Sequence, residues 1–139
     1  MATIDMQAMR YINLLNSVSR VKANKCFFYN NAIFFAVPSN LLSRAIGPAG
    51  RNIRIIGEKL GKRIRIIRDI EDNLNSIEGF IESIVSPIEF VSLDFKDDAF
   101  ILTAGSRTKA ATLIGRNKVR LEELRKIIND YFGKGLKIV

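Results

Sequence analysis

A short loop bounded by two glycines, residues 47–50 with the sequence Gly-Pro-Ala-Gly, lies inside a strongly basic stretch of the chain. The first amides of a helix have no partner within it, so a loop that opens a helix offers hydrogen-bond donors to an anion. Glycines let a polyanion approach the backbone because they carry no side chain. Arg44, Arg51 and Arg54 flank the loop at helical spacings that place their charge beside it. This combination predicts contact with a phosphate-bearing partner.

The loop has a counterpart 68 positions later in the chain. At this offset Ile46 and Gly47 fall on Ile114 and Gly115, and the apolar positions of the helix that follows keep their phase. The same offset also sets Phe27 on Phe95, Ile33 on Ile101, and Met9 on Ile77. The final strand matches at an offset of 72, which predicts about one extra turn in the second long helix. We interpret the chain as an internal duplication.

Each copy is predicted to follow the order α-β-β-α-α-β, an α+β fold with helices packed on a small three-stranded sheet. First helices are expected over residues 4–17 and 73–85, and short helices over 40–46 and 108–114. Tight turns are expected at Asn30-Asn31 and Asp97-Asp98, because these residue types tolerate positive φ. The predicted domains are residues 1–70 and 71–139, with a linker within 69–75. Cores this small are expected to pack against each other.

Charge is distributed along the chain in blocks of opposite sign. The net charge is +8 and the isoelectric point is near 9.9. Residues 43–68 hold eight basic residues against Glu58 alone, and residues 69–98 hold nine acidic residues against Lys96 alone. Residues 99–139 return to nine basic and three acidic residues. Two basic surfaces joined through an acidic region indicate a polyanionic partner rather than uniform solubilising charge.

The residue types that are missing narrow the range of functions. The sequence has no histidine and a single cysteine, Cys26, which we expect in the core. A disulfide within the chain and a cysteine-cluster metal site are therefore excluded, and no metal or cofactor is predicted. No apolar run approaches the ~20 residues that span a bilayer, and the first residues lack the pattern of a secretory signal. We expect a cytoplasmic protein without a membrane segment.

The order α-β-β-α-α-β, with Ile-Gly-x-x-Gly at residues 46–50 between the two middle helices, resembles the KH domain in its prokaryotic, type II arrangement. That family binds single-stranded nucleic acid: its loop holds the backbone of about four nucleotides, and an adjacent apolar groove receives the bases. Two such units in one small chain look like the archaeal relatives of the transcription factor NusA. The resemblance is carried by AIGPAGRNIRIIGEKLGKRIRII and LIGRNKVRLEELRKIINDYFGKGLKIV, and it covers residues from about 4 to 139.

The resemblance implies a protein that binds single-stranded RNA and acts in transcription elongation, termination or antitermination. Its implied partner is the nascent transcript, with RNA polymerase or a ribosomal component as further candidates. Phosphates would meet the amides of residues 47–50, and bases would lie over Ile46, Ile53 and the edge of the strand at 64–67. The implied RNA-binding residues are Arg44, Ile46, Gly47, Pro48, Ala49, Gly50, Arg51, Ile53 and Arg54 in the first copy and Ile114, Gly115, Arg116, Asn117 and Lys118 in the second.

The two loops depart from the family pattern in different ways. In the first loop, Pro48 has no amide hydrogen, so one potential donor to a phosphate is lost. In the second loop, Lys118 replaces the closing glycine, and its side chain restricts how near the backbone a ligand can come. One of the two loops could therefore serve a structural purpose.

Other classes of function compete with this interpretation. A basic protein-interaction or ribosome-assembly module with the same fold would use the charge blocks to contact an acidic protein. Binding to duplex DNA is a further alternative, although no helix has the features of a recognition helix. Catalysis is not expected. Gly61-Lys62 is similar to part of a phosphate-binding P-loop, but Arg63 replaces the required Ser or Thr and Ile56 stands where the first glycine belongs.

Overall fold

The computed structural model describes residues 6–70 and 74–139, which divide into two compact units on either side of residues 71–73. Each unit is α+β and follows the order α-β-β-α-α-β. Positions 4–5 of the first expected helix and position 73 of the second lie outside the described residues. The division of the chain into domains at residues 70 and 71 remains a prediction.

The first unit begins with a helix and ends with a strand. Its elements are α1 (Met6–Ser19), β1 (Lys25–Tyr29), β2 (Ala32–Val37), α2 (Leu42–Ile46), α3 (Arg51–Leu60) and β3 (Arg63–Arg68). A 3₁₀ turn, Ser39–Leu41, precedes α2, so the expected short helix at 40–46 is a 3₁₀ turn joined to a short α-helix.

The second unit repeats this order with a longer penultimate helix. Its elements are α4 (Leu74–Val85), β4 (Ser92–Lys96), β5 (Ala99–Thr103), α5 (Arg107–Ile114), α6 (Val119–Phe132) and β6 (Gly135–Ile138). Helix α6 has 14 residues where α3 has 10. The difference is about one helical turn and accounts for the shift of the final strand from an offset of 68 to 72.

Each unit contains one three-stranded sheet with the same topology. The first two strands pair antiparallel and the third pairs parallel with the second, which is central. Both hairpins turn through two residues in the left-handed region: Asn30 and Asn31 have φ of 51° and 61°, and Asp97 and Asp98 have φ of 54° and 63°. The turns predicted from the sequence are confirmed.

The pairing of the two hairpins corrects the offset expected for their strands. The strand registers align Ile33 with Phe100, because Ile33 pairs with Ile64 in β3 and Phe100 pairs with Leu136 in β6. The hairpin offset is therefore 67, and the expected match of Ile33 with Ile101 is wrong by one residue. Since side chains alternate between the faces of a strand, that slip would exchange buried and exposed positions.

A similar correction applies to the first helix. Its buried positions include Ala8, Ile12 and Leu15, at a spacing of four and three residues that places them on one face. Met9 lies about 100° around the helix from Ala8 and is 49% exposed. Ile77 in α4 is buried, so the expected equivalence of Met9 and Ile77 is wrong.

The helices of the first unit cover one face of its sheet and enclose a hydrophobic core. Cys26 belongs to this core, as expected for a small apolar side chain. The core residues come from α1, α2, α3 and alternate positions of the strands, and they include Ile12, Leu15, Ile33, Phe35, Ala45, Ile56, Ile64 and Ile66. The loop that joins α2 to α3 is thus anchored at both ends by buried residues.

An ion pair holds the outer strands together at one end of the first sheet. Lys25 Nζ lies 2.6 Å from one carboxylate oxygen of Asp69, and Asn24 Nδ2 donates to the other at 2.8 Å. Burial raises the pKa of the Asp69 carboxyl, but hydrogen bonds from the Lys25 and Asn24 side chains and the Ile70 backbone outweigh it and hold that pKa below its usual value. Asp69 therefore belongs to the first unit rather than to the expected linker.

Candidate functional site

The loop between α2 and α3 is built by three unusual backbone conformations within four residues. Gly47 ends α2 with φ 79° and ψ 166°, a region that is essentially restricted to glycine. Ala49 (φ 53°, ψ 30°) and Gly50 (φ 73°, ψ 23°) are both left-handed, and α3 begins at the next residue. Glycine at position 47 is therefore needed for the geometry of the turn, whatever it binds.

The loop between α5 and α6 has almost the same backbone. Gly115 has φ 78° and ψ 170°, Asn117 has φ 56° and ψ 27°, and Lys118 has φ 61° and ψ 22°. Residue by residue, these angles match the first loop at an offset of 68. The sequence-based register of the two loops is therefore confirmed, and the loss of the closing glycine leaves the turn intact.

Each loop holds one side chain in a conformation that is unfavourable for it. Asn is tolerated in the left-handed region, but Ala49 and Lys118 pay about 1–2 kcal/mol to adopt it. In the first loop the Arg54 guanidinium donates a hydrogen bond to the Ala49 carbonyl and so stabilises the strained peptide. Both loops lie at the surface: Pro48, Ala49, Arg116, Asn117 and Lys118 are exposed.

The backbone amides of the first loop are mostly used within the loop. The Gly47 amide donates to the Ser43 carbonyl at 3.0 Å, and the Gly50 amide donates to the Gly47 carbonyl at 3.1 Å. The Arg51 amide donates to the Pro48 carbonyl. Because Pro48 has no amide hydrogen, Ala49 is the one position among residues 47–50 whose amide is not accounted for in this way. The sequence predicts that these amides contact a phosphate, but among residues 47–50 only the Ala49 amide is left outside these hydrogen bonds. Binding of a phosphate would therefore depend mainly on the charged side chains beside the loop.

A residue that the sequence analysis missed connects the loop to α2. Asn52 Nδ2 donates to the carbonyls of Arg44 and Ala45, each at 3.1 Å, and so satisfies two acceptors at the end of α2. A Cβ atom on Gly47 would lie 2.8 Å from Asn52 Nδ2. Asn52 therefore fixes the angle between α2 and α3, and it requires glycine at position 47.

Three arginines surround the first loop. Arg44, Arg51 and Arg54 are exposed. Within residues 6–70 and 74–139, none of the five ion pairs includes them. Their charges are therefore not neutralised by carboxylates of the described residues, and Arg54 contacts the loop directly through its hydrogen bond to the Ala49 carbonyl.

The second loop carries its charge differently. Arg116 and Lys118 lie in the loop itself and are exposed. In the first turns of α6, Arg120 pairs with Glu123 at 2.7 Å, and Arg125 pairs with Glu122 at 2.9 Å. The loop is thus cationic, but the helix that it opens has paired charges close to its start.

The apolar residues assigned to base contacts are partly available. Ile46, Ile53 and Ile114 are half-buried, and the first two pack against the core of their unit. Strand β3 is an edge strand, as expected, but Ile64, Ile66 and Ile67 are buried. A base approaching this edge would meet backbone rather than isoleucine side chains.

The structure assigns local roles to the other glycine motifs. Gly61 closes α3 with φ 63° and its amide donates to the Gly57 carbonyl at 2.8 Å, while Gly133 closes α6 with φ 66°. Both are helix C-caps rather than the start of a strand-to-helix phosphate loop.

Across the two described ranges there is no group of three or more His, Cys, Asp or Glu side chains suited to a metal ion. The helices within these ranges also include none with the length and apolarity to cross a membrane.

Comparison with known proteins identifies a relative that aligns over most of this chain. The chain is 25% identical, over 132 residues, to a protein named "Probable transcription termination protein NusA" from Halococcus morrhuae. The alignment covers 94% of this chain and 92% of that protein. This chain is therefore similar to a NusA-like protein over most of its length. No family model matches the sequence.

A solved structure has the same fold. The crystal structure of APE1850 matches with a TM-score of 0.70 and 23% sequence identity. The match covers 98% of this chain and the whole of the other. At this identity the likeness shows the fold alone. It agrees with the α+β architecture of this chain, whose two small three-stranded sheets fit a KH-like fold.

Proposed function

We propose that this protein binds single-stranded RNA through two type II KH-like units and acts on transcripts as a NusA-like factor in elongation, termination or antitermination. The observation that carries the proposal is the repetition of one strained, exposed and cationic loop at an offset of 68, in a chain similar over 94% of its length to a probable transcription termination protein. A fold alone would not support this function, because one fold can serve many functions.

The chemistry of the first loop supports a sugar–phosphate partner. Strained backbone conformations persist where the surrounding structure enforces them, and they cluster at functional sites. Ala49 is held in such a conformation at the surface, next to arginines that form no ion pair with a carboxylate in the part of the chain that the structure describes. A single-stranded backbone would place its phosphates near Arg44, Arg51 and Arg54. Its bases could then lie over the exposed parts of Ile46 and Ile53.

The second loop is proposed to contact the same strand through Arg116, Asn117 and Lys118, with Ile114 beside them. Arginine and lysine hold phosphates chiefly by charge, so binding should depend strongly on salt. For single-stranded nucleic acid, the slope of log K against log salt is about −0.7 for each phosphate neutralised. No cofactor, metal ion or catalytic activity is part of the proposal.

The experiment is a fluorescence-anisotropy titration of labelled single-stranded RNA, matched DNA and duplex RNA at about 50 mM and about 200 mM salt. Wild type is compared with the double variants Pro48→Asp/Ala49→Asp and Arg116→Asp/Asn117→Asp. Asp is tolerated at the left-handed positions 49 and 117, so the loops should keep their shape. We expect each variant to bind RNA about tenfold more weakly with a shallower salt slope.

Matched controls remove charge far from the loops. Lys62→Asp gives the same charge change as the first double variant, but Lys62 follows α3, whose 10 residues span about 15 Å from the loop. Lys96→Asp, a change of two charges against three in the second double variant, serves the second unit. The pairing of Lys96 with Ala99 and of Ala99 with Gly135 places it at the far end of α6. Binding that ignores both loop variants in a folded protein, or that prefers duplex RNA, would overturn the proposal.

A further inference from the structure

The two loops share a backbone but differ at the position that borders them. The offset of 68 places Glu122 in α6 where α3 has Arg54. Arg54 reaches the loop, because its guanidinium donates to the Ala49 carbonyl. The side chain at this position of the first helical turn is therefore next to whatever the loop holds. In one unit it is a cation, and in the other it is an anion.

The neighbouring charges strengthen this difference. In the second unit, Glu122 and Glu123 accept hydrogen bonds from Arg125 and Arg120, so these arginines are partly neutralised within their own helix. In the first unit, Asn52 stands at the position of Arg120 and is neutral, and Arg51 stands at the position of Val119. Val119 is 47% exposed. The start of α3 thus presents cations, whereas the start of α6 presents an exposed valine and compensated charge.

We infer that the first loop contributes the larger share of phosphate affinity, and that Glu122 weakens the second loop. The inference rests on the proposed function, since it concerns how the two sites divide the binding of one strand. A phosphate held by Arg116 and Lys118 would experience repulsion from Glu122, which lies four residues after Lys118, about 6 Å along the helix axis. This separation is less than the screening length of about 8–10 Å at ordinary salt. The same phosphate at the first loop would instead be attracted by Arg54.

Exchanging the two residues tests the inference directly. Arg54→Glu should weaken binding of single-stranded RNA by about tenfold and make the salt slope shallower by about 0.7. Arg54→Gln removes the charge but keeps an amide that can donate to the Ala49 carbonyl, so it separates charge from support of the loop. Glu122→Arg should strengthen binding by about fivefold and steepen the salt slope by a similar amount. A gain in affinity cannot arise from misfolding.

The control for Glu122→Arg is Asp94→Arg, which makes the same charge change in the same unit. Asp94 is exposed on β4, and its neighbours Leu93 and Phe95 point to the opposite face, towards Leu102 and Phe100. We expect Asp94→Arg to change affinity by less than about twofold. An equal gain from both variants would show an effect of net charge alone, and it would overturn the inference.

The outcomes also separate this inference from the proposed function. If Pro48→Asp/Ala49→Asp weakens binding but Glu122→Arg has no effect, the loops bind RNA and the unequal division is wrong. If neither double loop variant changes binding, the proposed function itself has failed. Arg54→Gln binding as tightly as wild type would also contradict the inference, because the charge at position 54 would then be irrelevant.

Discussion

Glycine at position 47 is required by two separate constraints. Its φ of 79° with ψ of 166° lies in a region that side-chain-bearing residues avoid. A Cβ there would also lie 2.8 Å from Asn52 Nδ2 and 3.2 Å from the Asn52 backbone nitrogen. Asn52 cannot move away without abandoning the two α2 carbonyls to which it donates. Gly61, at φ 63° and ψ 30°, is only in the left-handed region that other residues adopt at a smaller cost, and nothing lies within 4 Å of its missing Cβ.

We therefore expect Gly47→Ala to destabilise the first unit by about 3 kcal/mol, at the upper end of the range for strained backbone. Gly61→Ala should cost only about 1 kcal/mol, the penalty of the left-handed conformation. The measurement is the free energy of unfolding in urea, followed by circular dichroism. Equal losses for the two variants would mean that Asn52 yields easily, and the role given to it here would be wrong.

The elements were more predictable than their connections. The hairpin turns, the apolar phase of the long helices and the extra turn of α6 follow from local patterns, and sequence comparison identified them. The hairpin offset failed because nine residues lie between Val37 and Gly47, whereas ten lie between Ala104 and Gly115. Connections at the surface absorb such insertions at little cost, so a single offset cannot be carried across them.

Some features of the two loops could be predicted from the sequence, and others could not. Glycine and arginine positions were visible as residue types, and the structure places the Arg54 guanidinium against the loop. The use of the loop amides and the capping role of Asn52 were not, because both depend on which acceptors the turn directs inward. In the sequence, an asparagine whose side chain reaches back to the preceding helix looks the same as one whose side chain lies at the surface.

At the level of the sheet, the Asp69 ion pair should make the first unit sensitive to acid. The pKa of Asp69 is lowered from its ordinary value of 3.8, so the charged form stabilises the fold. This stability is fully present above the unfolded pKa and is lost as pH falls through the lower, folded value. We expect Asp69→Asn to reduce the free energy of unfolding by about 1–2 kcal/mol near pH 7, and the difference from wild type to shrink near pH 3.

Hydrogen exchange gives this prediction a local measurement. The amides of Asn24 and Asp69 donate to the carbonyls of Ala36 and Val37, so their protection reports on the end of the sheet that the ion pair closes. Asp94→Asn, at an exposed carboxylate, provides the control and should leave this protection unchanged. A constant difference between Asp69→Asn and wild type across the whole pH range would contradict the assignment.

For the whole molecule, the main consequence of the duplication is that two modest sites occur in one chain. Under the proposed function, each loop offers only a few cations, and one KH unit would hold about four nucleotides. When one strand reaches both loops, the second contact becomes intramolecular, and the gain in affinity can reach 10²-fold or more without any new type of contact. The net charge of +8 adds a general attraction to RNA, which should increase gradually with strand length rather than in a step.

A series of single-stranded RNAs of increasing length separates these two effects. We expect weak binding at about four nucleotides. Affinity should then rise by a step of at least tenfold once the strand is long enough to reach both loops. Pro48→Asp/Ala49→Asp should remove the step while leaving the gradual electrostatic increase. If affinity instead rose smoothly in both proteins, in proportion to the number of phosphates, charge alone would explain it. The second loop would then have no part in holding the strand.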